Sequence, residues 1–417
     1  MQKLNRNILC IDLKSFFASC ECIERGLNPF TTPLVVAGNN KGAITLAVTP
    51  ALKKLGIKGR TRLYDIPKNI KYMKVPPRMS LYIKKSEEVI SIYLDFVSKE
   101  DLHIYSIDEC FLDVTHYLKL YNMTDYELAE KILKTIEEKT GLTATCGVGP
   151  NLLLAKVAMD TEAKRYKNGI AKWTYADVES KLWKIYPLSE MWGIGKRMEY
   201  NLNKMDIYTV KDLANYDKNI LKDKFGVIGE ELWNHANGID LSVISDFKQP
   251  PKTKSYSHSQ ILYKDYNADN IKIIILEMIE VLTARLRNNN KLTRLIGFGI
   301  GYSKEETGEF YHSLKLENAT ESKEEIYKYI IMMFDKFYTE NMPIRKVSIS
   351  LGNLEKKSAI QLSLFDNEKS LEKDANINTT IDEVKRRFGK NSIINTSALT
   401  EDSTAIERNK KIGGHRA

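Results

Sequence analysis

The chain opens on short apolar runs whose length suits buried strands. Asn7–Leu13, NILCIDL, is one, and PLVVAG soon after it is another. Between them SFFASCECIERGLN keeps the amphipathic spacing of a helix, stopped by Gly26 and Pro29. A short helix and basic loops, including KKLGIKGRTR, fill Ala47 to about Pro77. Tyr82–Ser98 reads as a helix, HIYSIDECFLDVT as a strand hairpin and Tyr126–Thr140 as a helix. TATCGVG then reads as a strand and Asn151–Lys164 as a further helix. Strands alternate with helices, so the pattern predicts a mixed α/β domain with one interrupting insert.

Around Trp173–Trp192 the pattern changes to short helices with GIG and GVIG turns, up to roughly Asp240. QPPKTKSYSHSQ, with two prolines, two lysines and small polar residues, reads as a linker. Beyond it the order strand, helix, strand, strand, helix, strand predicts a second compact α+β unit ending near Leu354. The remaining residues are polar and broken, apart from the islands QLSLF and IDEVKRRFG, the second a short basic helix in a solvated tail.

Length and composition narrow the class. A chain of 417 residues is too long for one ordinary domain. The net charge of +9 fits a polyanionic partner. Five cysteines, Cys10, Cys20, Cys22, Cys110 and Cys146, form no CxxC pair and read as reduced thiols of a cytoplasmic protein. No stretch approaches the ~20 apolar residues of a membrane span.

The candidate chemistry lies in the hairpin. YSIDECFLDV, Tyr105–Val114, sets Asp108 beside Glu109 between apolar runs. Two like charges ~4 Å apart repel by roughly 4 kcal/mol near a protein surface, so such a pair protonates, spreads into water or takes a cation. Asp12 ends the first strand, where open α/β sheets place ligand groups. If the two strands are neighbours, three carboxylates converge, a hard donor set suited to Mg²⁺ or Mn²⁺. Two such ions can hold a phosphoryl group with its attacking and leaving oxygens in line. His103, His116 and Asp113 read as structural.

DLKSFFASCE, Asp12–Glu21, together with YSIDECFLDVT resembles the two signature segments of the Y-family DNA polymerases, the translesion enzymes, and in particular the UmuC-like members of Gram-positive bacteria and their mobile elements. The resemblance runs in order from about Asn7 to the end of the chain. It implies a right-hand polymerase, multidomain α/β plus α+β: a palm at 1–24 and 82–173, small fingers at 25–81, a helix–hairpin–helix thumb at 174–240, a linker at 241–252, a little finger at 253–355 and a tail at 356–417. Asp12, Asp108 and Glu109 would be the catalytic, metal-binding carboxylates for two Mg²⁺ ions, or Mn²⁺, with the carbonyl of Leu13 a further ligand. A primer 3′-hydroxyl would attack the α-phosphate of a deoxynucleoside triphosphate, releasing pyrophosphate. Phe17 would be the steric gate against a ribose 2′-hydroxyl, with Phe16 beside it at the nucleotide. Lys14 departs from the family pattern, which has a second acid or an Asn there, and is expected to point away from the metals.

Lys164, in AKVAMDTEAKRYKNG, and Lys53, in TPALKKLG, match the family's phosphate-binding positions; Pro50 stands where many relatives have a tyrosine. EMWGIGKRMEYNLNKMDIYTVKDL resembles a helix–hairpin–helix, in which Gly193 and Gly195 permit a close backbone approach to phosphate and Lys196 and Arg197 add charge. From Lys252 to Lys304, nine Lys/Arg face four Asp/Glu. In LTRLIGFGIGYS the glycines Gly297, Gly299 and Gly301 would leave one strand face bare, either for a nucleic-acid backbone or for packing, with Arg294, Lys254 and His258 as edge contacts. Gln361, Leu362, Leu364 and Phe365 in QLSLF resemble the bacterial sliding-clamp-binding peptide. The implied partners are primer–template DNA, deoxynucleotides, the clamp and an accessory protein of the mutagenesis machinery, with no membrane, in a damage-tolerance or SOS role. The rivals are a non-catalytic DNA-bound clamp partner that regulates other polymerases, and another two-metal nucleotidyl transferase such as a cyclase.

Overall fold

The computed structural model describes residues 3–39, 42–249, 254–303, 308–357 and 368–416, without the side chains of 368–375. Gln361, Leu362, Leu364 and Phe365 therefore lie outside the described residues. The chain divides into two compact units, Met1–Pro250 with the last three residues, and Pro251–Gly414.

In the first unit strand β1 (Ile8–Leu13) turns sharply into helix α1 (Phe16–Ile23). The turn is made by Ser15 in the left-handed region, at φ 50°. Strands β2 (Leu34–Ala37) and β3 (Thr45–Val48) follow, then helix α2 (Pro50–Lys54) and β4 (Met73–Val75), which pairs parallel with β2. The expected helix and loops between Ala47 and Pro77 thus also hold parts of a small three-stranded sheet, in the order β3-β2-β4. Helix α3 (Met79–Leu94) leads to the hairpin of β5 (Leu102–Ile104) and β6 (Glu109–Asp113). Short α4 (Leu118–Tyr121) precedes α5 (Asp125–Thr140), whose ends are set by a Thr124–Glu127 capping box and by Gly141 at φ 72°. Strand β7 (Ala144–Gly149), helix α6 (Leu152–Thr161) and β8 (Ile170–Lys172) complete a five-stranded sheet in the order β5-β6-β1-β7-β8.

Strand β1 is central and covered on both faces, which is why NILCIDL is apolar without alternation. Leu9 and Ile11 face the core of α3 and α5. Ile8 and Cys10 face Leu152, Ala155 and Met159 of α6. Helix α6 lies against β7 closely enough that a Cβ on Gly147 would sit 1.9 Å from the Ala155 carbonyl oxygen. That close approach fixes where the polar face of α6 stands relative to the end of β1.

The rest of the unit is helical: α7 (Asp177–Ser180), α8 (Lys196–Asn203), α9 (Val210–Asn215), α10 (Lys218–Phe225) and α11 (Val227–Ala236). They close over Trp173, Leu202, Ile207, Leu213 and Leu232. In the segment read as a linker, Ile244–Lys248 forms a 3₁₀ turn that buries Ile244.

The second unit is an antiparallel sheet with two helices on one face. Its elements are β9 (Tyr256–Tyr266), α12 (Ile271–Asn288), β10 (Lys291–Tyr302), β11 (Glu309–Thr320), α13 (Lys323–Phe337) and β12 (Ile344–Gly352), and the strand order is β11-β10-β12-β9. The last five residues of QPPKTKSYSHSQ, from Tyr256, are already strand β9. Ile296, Phe298 and Ile300 of β10 are buried, and the glycines alternate to the other face as expected. That face is not bare. The Tyr311 side chain lies across it: a Cβ on Gly297 would meet the Tyr311 hydroxyl at 2.1 Å, and one on Gly299 the Tyr311 ring at 2.7 Å. The Tyr311 hydroxyl also bonds Ser350 Oγ at 2.7 Å. Of the two readings of the glycines, packing is the one the geometry supports.

The tail corrects a second expectation. After β13 (Glu355–Lys356), helix α14 (Glu368–Phe388) is not merely solvated. Asp382 forms a bidentate pair with Arg287 of α12, at 2.7 and 3.1 Å, and both side chains are nearly buried. Farther on, Ser403 and Thr404 hydroxyls donate to the buried Glu277 at 2.6 and 3.0 Å. The tail is polar because its docking is ionic, a property that composition reads as solvation. Among the described residues no helix is long and apolar enough to cross a membrane. All five cysteines are buried and free.

Candidate active site

The sheet brings the predicted carboxylates together. Strand β1 runs antiparallel to β6 with Asp12 opposite Glu109. The Leu13 N–H donates to the Asp108 carbonyl at 2.9 Å, tying the end of β1 to the hairpin tip. Asp108 is steadied by the Ser106 hydroxyl, which donates to Oδ1 at 2.7 Å. Asp12 feels both neighbours: burial first, then Asp108 and Glu109, push its carboxyl up to about 6, against the pull of Lys164 and Lys156.

Two of the predicted lysines face the same spot. Lys164 Nζ is 3.8 Å from Asp12 Oδ1 and 2.7 Å from Asp160 Oδ1. Lys53 on α2 is lowered by burial, with Asp12 and Asp108 opposing that shift and Lys164 adding to it. Lys53 and Lys164 are thus both within electrostatic reach of Asp12. Lys14 points elsewhere: its ammonium would lie 3.5 Å from a Cβ on Gly169, and the carboxylate acting on it is Glu137.

Sequence reasoning passed over a row of charges on α6. Lys156 Nζ lies 2.8 Å from Glu109 Oε1, 3.0 Å from Oε2 and 2.9 Å from Asp160 Oδ2. Burial opposes the charge of Lys156, but Glu109 and Asp160 outweigh it and hold the amine above the ordinary lysine value. The signal was present as Lys156 and Asp160 at i and i+4 on one face of α6, with Lys164 in the 3₁₀ turn Ala163–Arg165 that follows.

The donor set suits a hard divalent cation: carboxylate oxygens only, with Asp12 held above the ordinary carboxyl value by burial first and by Asp108 and Glu109 after it. Among the described residues, no three acidic, His or Cys side chains already form a cage, and Glu109 has both oxygens on Lys156.

Phe16 is buried and Phe17 is half-buried, both against the core of the first unit, with ring centroids 5.5 Å apart. The Phe17 ring rests on Tyr82, centroids 4.6 Å apart, and the Tyr82 hydroxyl donates to Glu21 at 2.7 Å. Glu21 also accepts from Arg78 at 3.0 and 2.8 Å. Sequence reasoning missed Tyr82 and Glu21 as supports of the Phe17 ring.

At the helical turn, Met191 and Ile194 are buried while Gly193, Gly195, Lys196 and Arg197 are exposed. Gly193 has φ 91°, and a Cβ on either glycine would meet nothing within 4 Å, so the backbone is open to a phosphate. In the second unit Lys254 is exposed. His258 turns to the core side, opposite buried Ile349, and burial together with Arg408 lowers its imidazole to about 4. Arg294 is engaged by Glu355 at 2.6 and 3.2 Å and donates to the Glu317 carbonyl. Neither matches the free edge contact expected of it.

Comparison with known proteins shows the family. Residues 11–160 match the impB/mucB/samB family, 175–207 that family's helix–hairpin–helix motif, and 253–364 its C-terminal domain. UvrX of Bacillus subtilis (strain 168), a protein named for UV-damage repair, is 41% identical over 99% of this chain and 98% of its own. DNA polymerase IV 2 of the same organism is 33% identical over 98% of each chain. Among solved structures, a Y-family DNA polymerase chimera of Dbh and Dpo4 shares the fold, with a TM-score of 0.65, 22% identity and coverage of 84% of this chain and 99% of that one. The chain belongs to the impB/mucB/samB family, the Y-family of DNA polymerases. Its activity is that of a DNA-directed DNA polymerase of the translesion type, in DNA repair.

Proposed function

We propose that Asp12, Asp108 and Glu109 form the catalytic centre, and that the protein extends primers past damaged bases with low fidelity and low processivity. The observation that carries this is the cross-strand pairing of Asp12 with Glu109 beneath Lys164, 3.8 Å from Asp12. Two Mg²⁺ ions, or Mn²⁺, would be held there by the three carboxylates and the Leu13 carbonyl. Bound cations would make the primer 3′-hydroxyl easier to ionise and neutralise charge on the departing pyrophosphate. Lys53 and Lys164 bind the triphosphate, and Phe17, backed by Tyr82 and beside Phe16, excludes a ribose 2′-hydroxyl.

In domain terms, the palm is 1–24 and 82–173, the fingers 25–81, the thumb 174–240, the linker 241–252, the little finger 253–355 and the tail 356–417. The turn Gly193–Arg197 binds the DNA backbone without sequence preference. Lys254 adds charge in the second unit. Gln361, Leu362, Leu364 and Phe365 bind the bacterial sliding clamp, in a cytoplasmic protein of the SOS response that works with a mutagenesis accessory protein. Primer extension with Mg²⁺ on undamaged and lesion-bearing templates tests the reading. Short, distributive products absent in Asp108→Ala support it; equal products from both proteins sink it.

A further inference from the structure

Glu109 is held in an unusual way for a residue assigned to a cation. Its carboxylate is almost buried, and both of its oxygens lie on one amine, Lys156 Nζ, at 2.8 and 3.0 Å. The Cys10 thiol donates to Oε1 at 3.2 Å, so Glu109 is turned toward α6. Lys156 is equally enclosed, with side-chain exposure of 9%. It is fixed in place because Gly147 and Gly149 let α6 settle onto β7: a Cβ on Gly149 would lie 2.5 Å from the Ala155 nitrogen. A buried carboxylate strongly disfavours losing its partner. Lys156 also has a second anion to rest on, Asp160 at 2.9 Å.

We propose that Lys156 is a built-in counter-ion that holds Glu109 while no divalent cation is bound, and so sets the cation affinity of the site. The inference rests on the reading of Asp12, Asp108 and Glu109 as cation ligands. Lys156 acts through Glu109 and is a positioning residue. An ammonium a few ångström from the carboxylates repels a divalent ion and competes with it for the same oxygens. Its second partner, Asp160, lets it release Glu109 without becoming an unpaired buried charge. Asp160 in turn shares Lys164 at 2.7 Å, which links the hold on Glu109 to the lysine placed at Asp12.

Removing the charge at position 156 therefore tightens cation binding while loosening the geometry of Glu109. The test uses the full chain on an undamaged primer–template. Lys156→Met, and Lys156→Gln as a second variant should Met impair folding, lower the Mg²⁺ concentration for half-maximal single-nucleotide insertion at least about fivefold and reduce kcat. Lys156→Arg, which keeps the charge, stays within about twofold of wild type in Mg²⁺ dependence. Mn²⁺ binding, followed by electron paramagnetic resonance in the complex with a dideoxy-terminated primer and a deoxynucleotide, tightens in the Met or Gln variant by a similar factor. Unchanged or weaker cation binding in those variants overturns the proposal. Insertion that survives in Asp108→Ala overturns instead the carboxylate reading beneath it. Loss in Asp108→Ala with an unmoved Mg²⁺ dependence in Lys156→Met removes the role of Lys156 alone.

Discussion

Glu21 is the most heavily committed carboxylate of the first unit, and replacing it by glutamine keeps its shape while deleting its charge. Its side chain has no exposure to solvent. Arg78 donates to both of its oxygens, the Tyr82 hydroxyl donates to Oε1 at 2.7 Å, and Arg25 pairs with Oε2. Hydrogen bonds to a charged group contribute about 1.5–3 kcal/mol each. The arginines are 40% and 31% exposed and recover water when released, so most of their share must be discounted. Tyr82 has no such recourse, being fully buried. One amide oxygen can serve Tyr82 or Arg78 but not both in full, so Glu21→Gln costs about 2–3 kcal/mol. Burial acts to raise the Glu21 carboxyl, but hydrogen bonds from Arg78, Tyr82 and Arg25 prevail and its value lies below the ordinary 4.5. The stabilisation is therefore present above pH 4.5 and is lost as the pH falls through the lowered folded value. Urea unfolding of wild type and Glu21→Gln at neutral pH, repeated stepwise into acid, should show a gap that closes below that point. A gap under about 0.5 kcal/mol at neutral pH, or one that widens in acid, would refute the reasoning.

Two further outcomes follow from the second unit. Gly297→Ala places a methyl 2.1 Å from the Tyr311 hydroxyl and should cost about 1–3 kcal/mol by urea unfolding, with part of the loss recovered when Tyr311→Ala is added; simple additivity would contradict the packing role of the glycine. Ending the chain at Lys357 strips Arg287 and buried Glu277 of Asp382, Ser403 and Thr404, and should lower the midpoint of thermal unfolding by about 5 °C or more, with an unchanged midpoint telling against a docked tail.

The catalytic sheet was legible because its signals are local. Apolar runs of six residues gave β1 and β7, the period of 3.6 gave α5, and the SIDE hairpin placed Asp108 and Glu109 at a strand end. That Asp12 meets them depends on β1 pairing with β6, a contact across 97 positions between Asp12 and Glu109 that no window of sequence contains. Lys156 was passed over because an isolated lysine on a helix is read as solvated, and its burial comes from glycines on β7 that let the helix close in. The same limit applies to His258, whose side of the strand is set by the register against Ile349. It applies to the tail as well: ionic docking to α12 uses the residue types that disorder uses, so composition could not tell Asp382 on Arg287 from Asp382 in water.

The central claim is that nucleotidyl transfer occurs at the carboxylates joined by β1 and β6. The direct measurement is the single-turnover rate of one deoxynucleotide insertion, with primer–template affinity measured in parallel, for wild type, Asp12→Asn and Asp108→Asn. A loss of at least about 10²-fold in rate for each variant, with DNA bound as in wild type, is what this geometry predicts. Rates near wild type in either variant, with DNA still bound, would place the chemistry elsewhere in the chain.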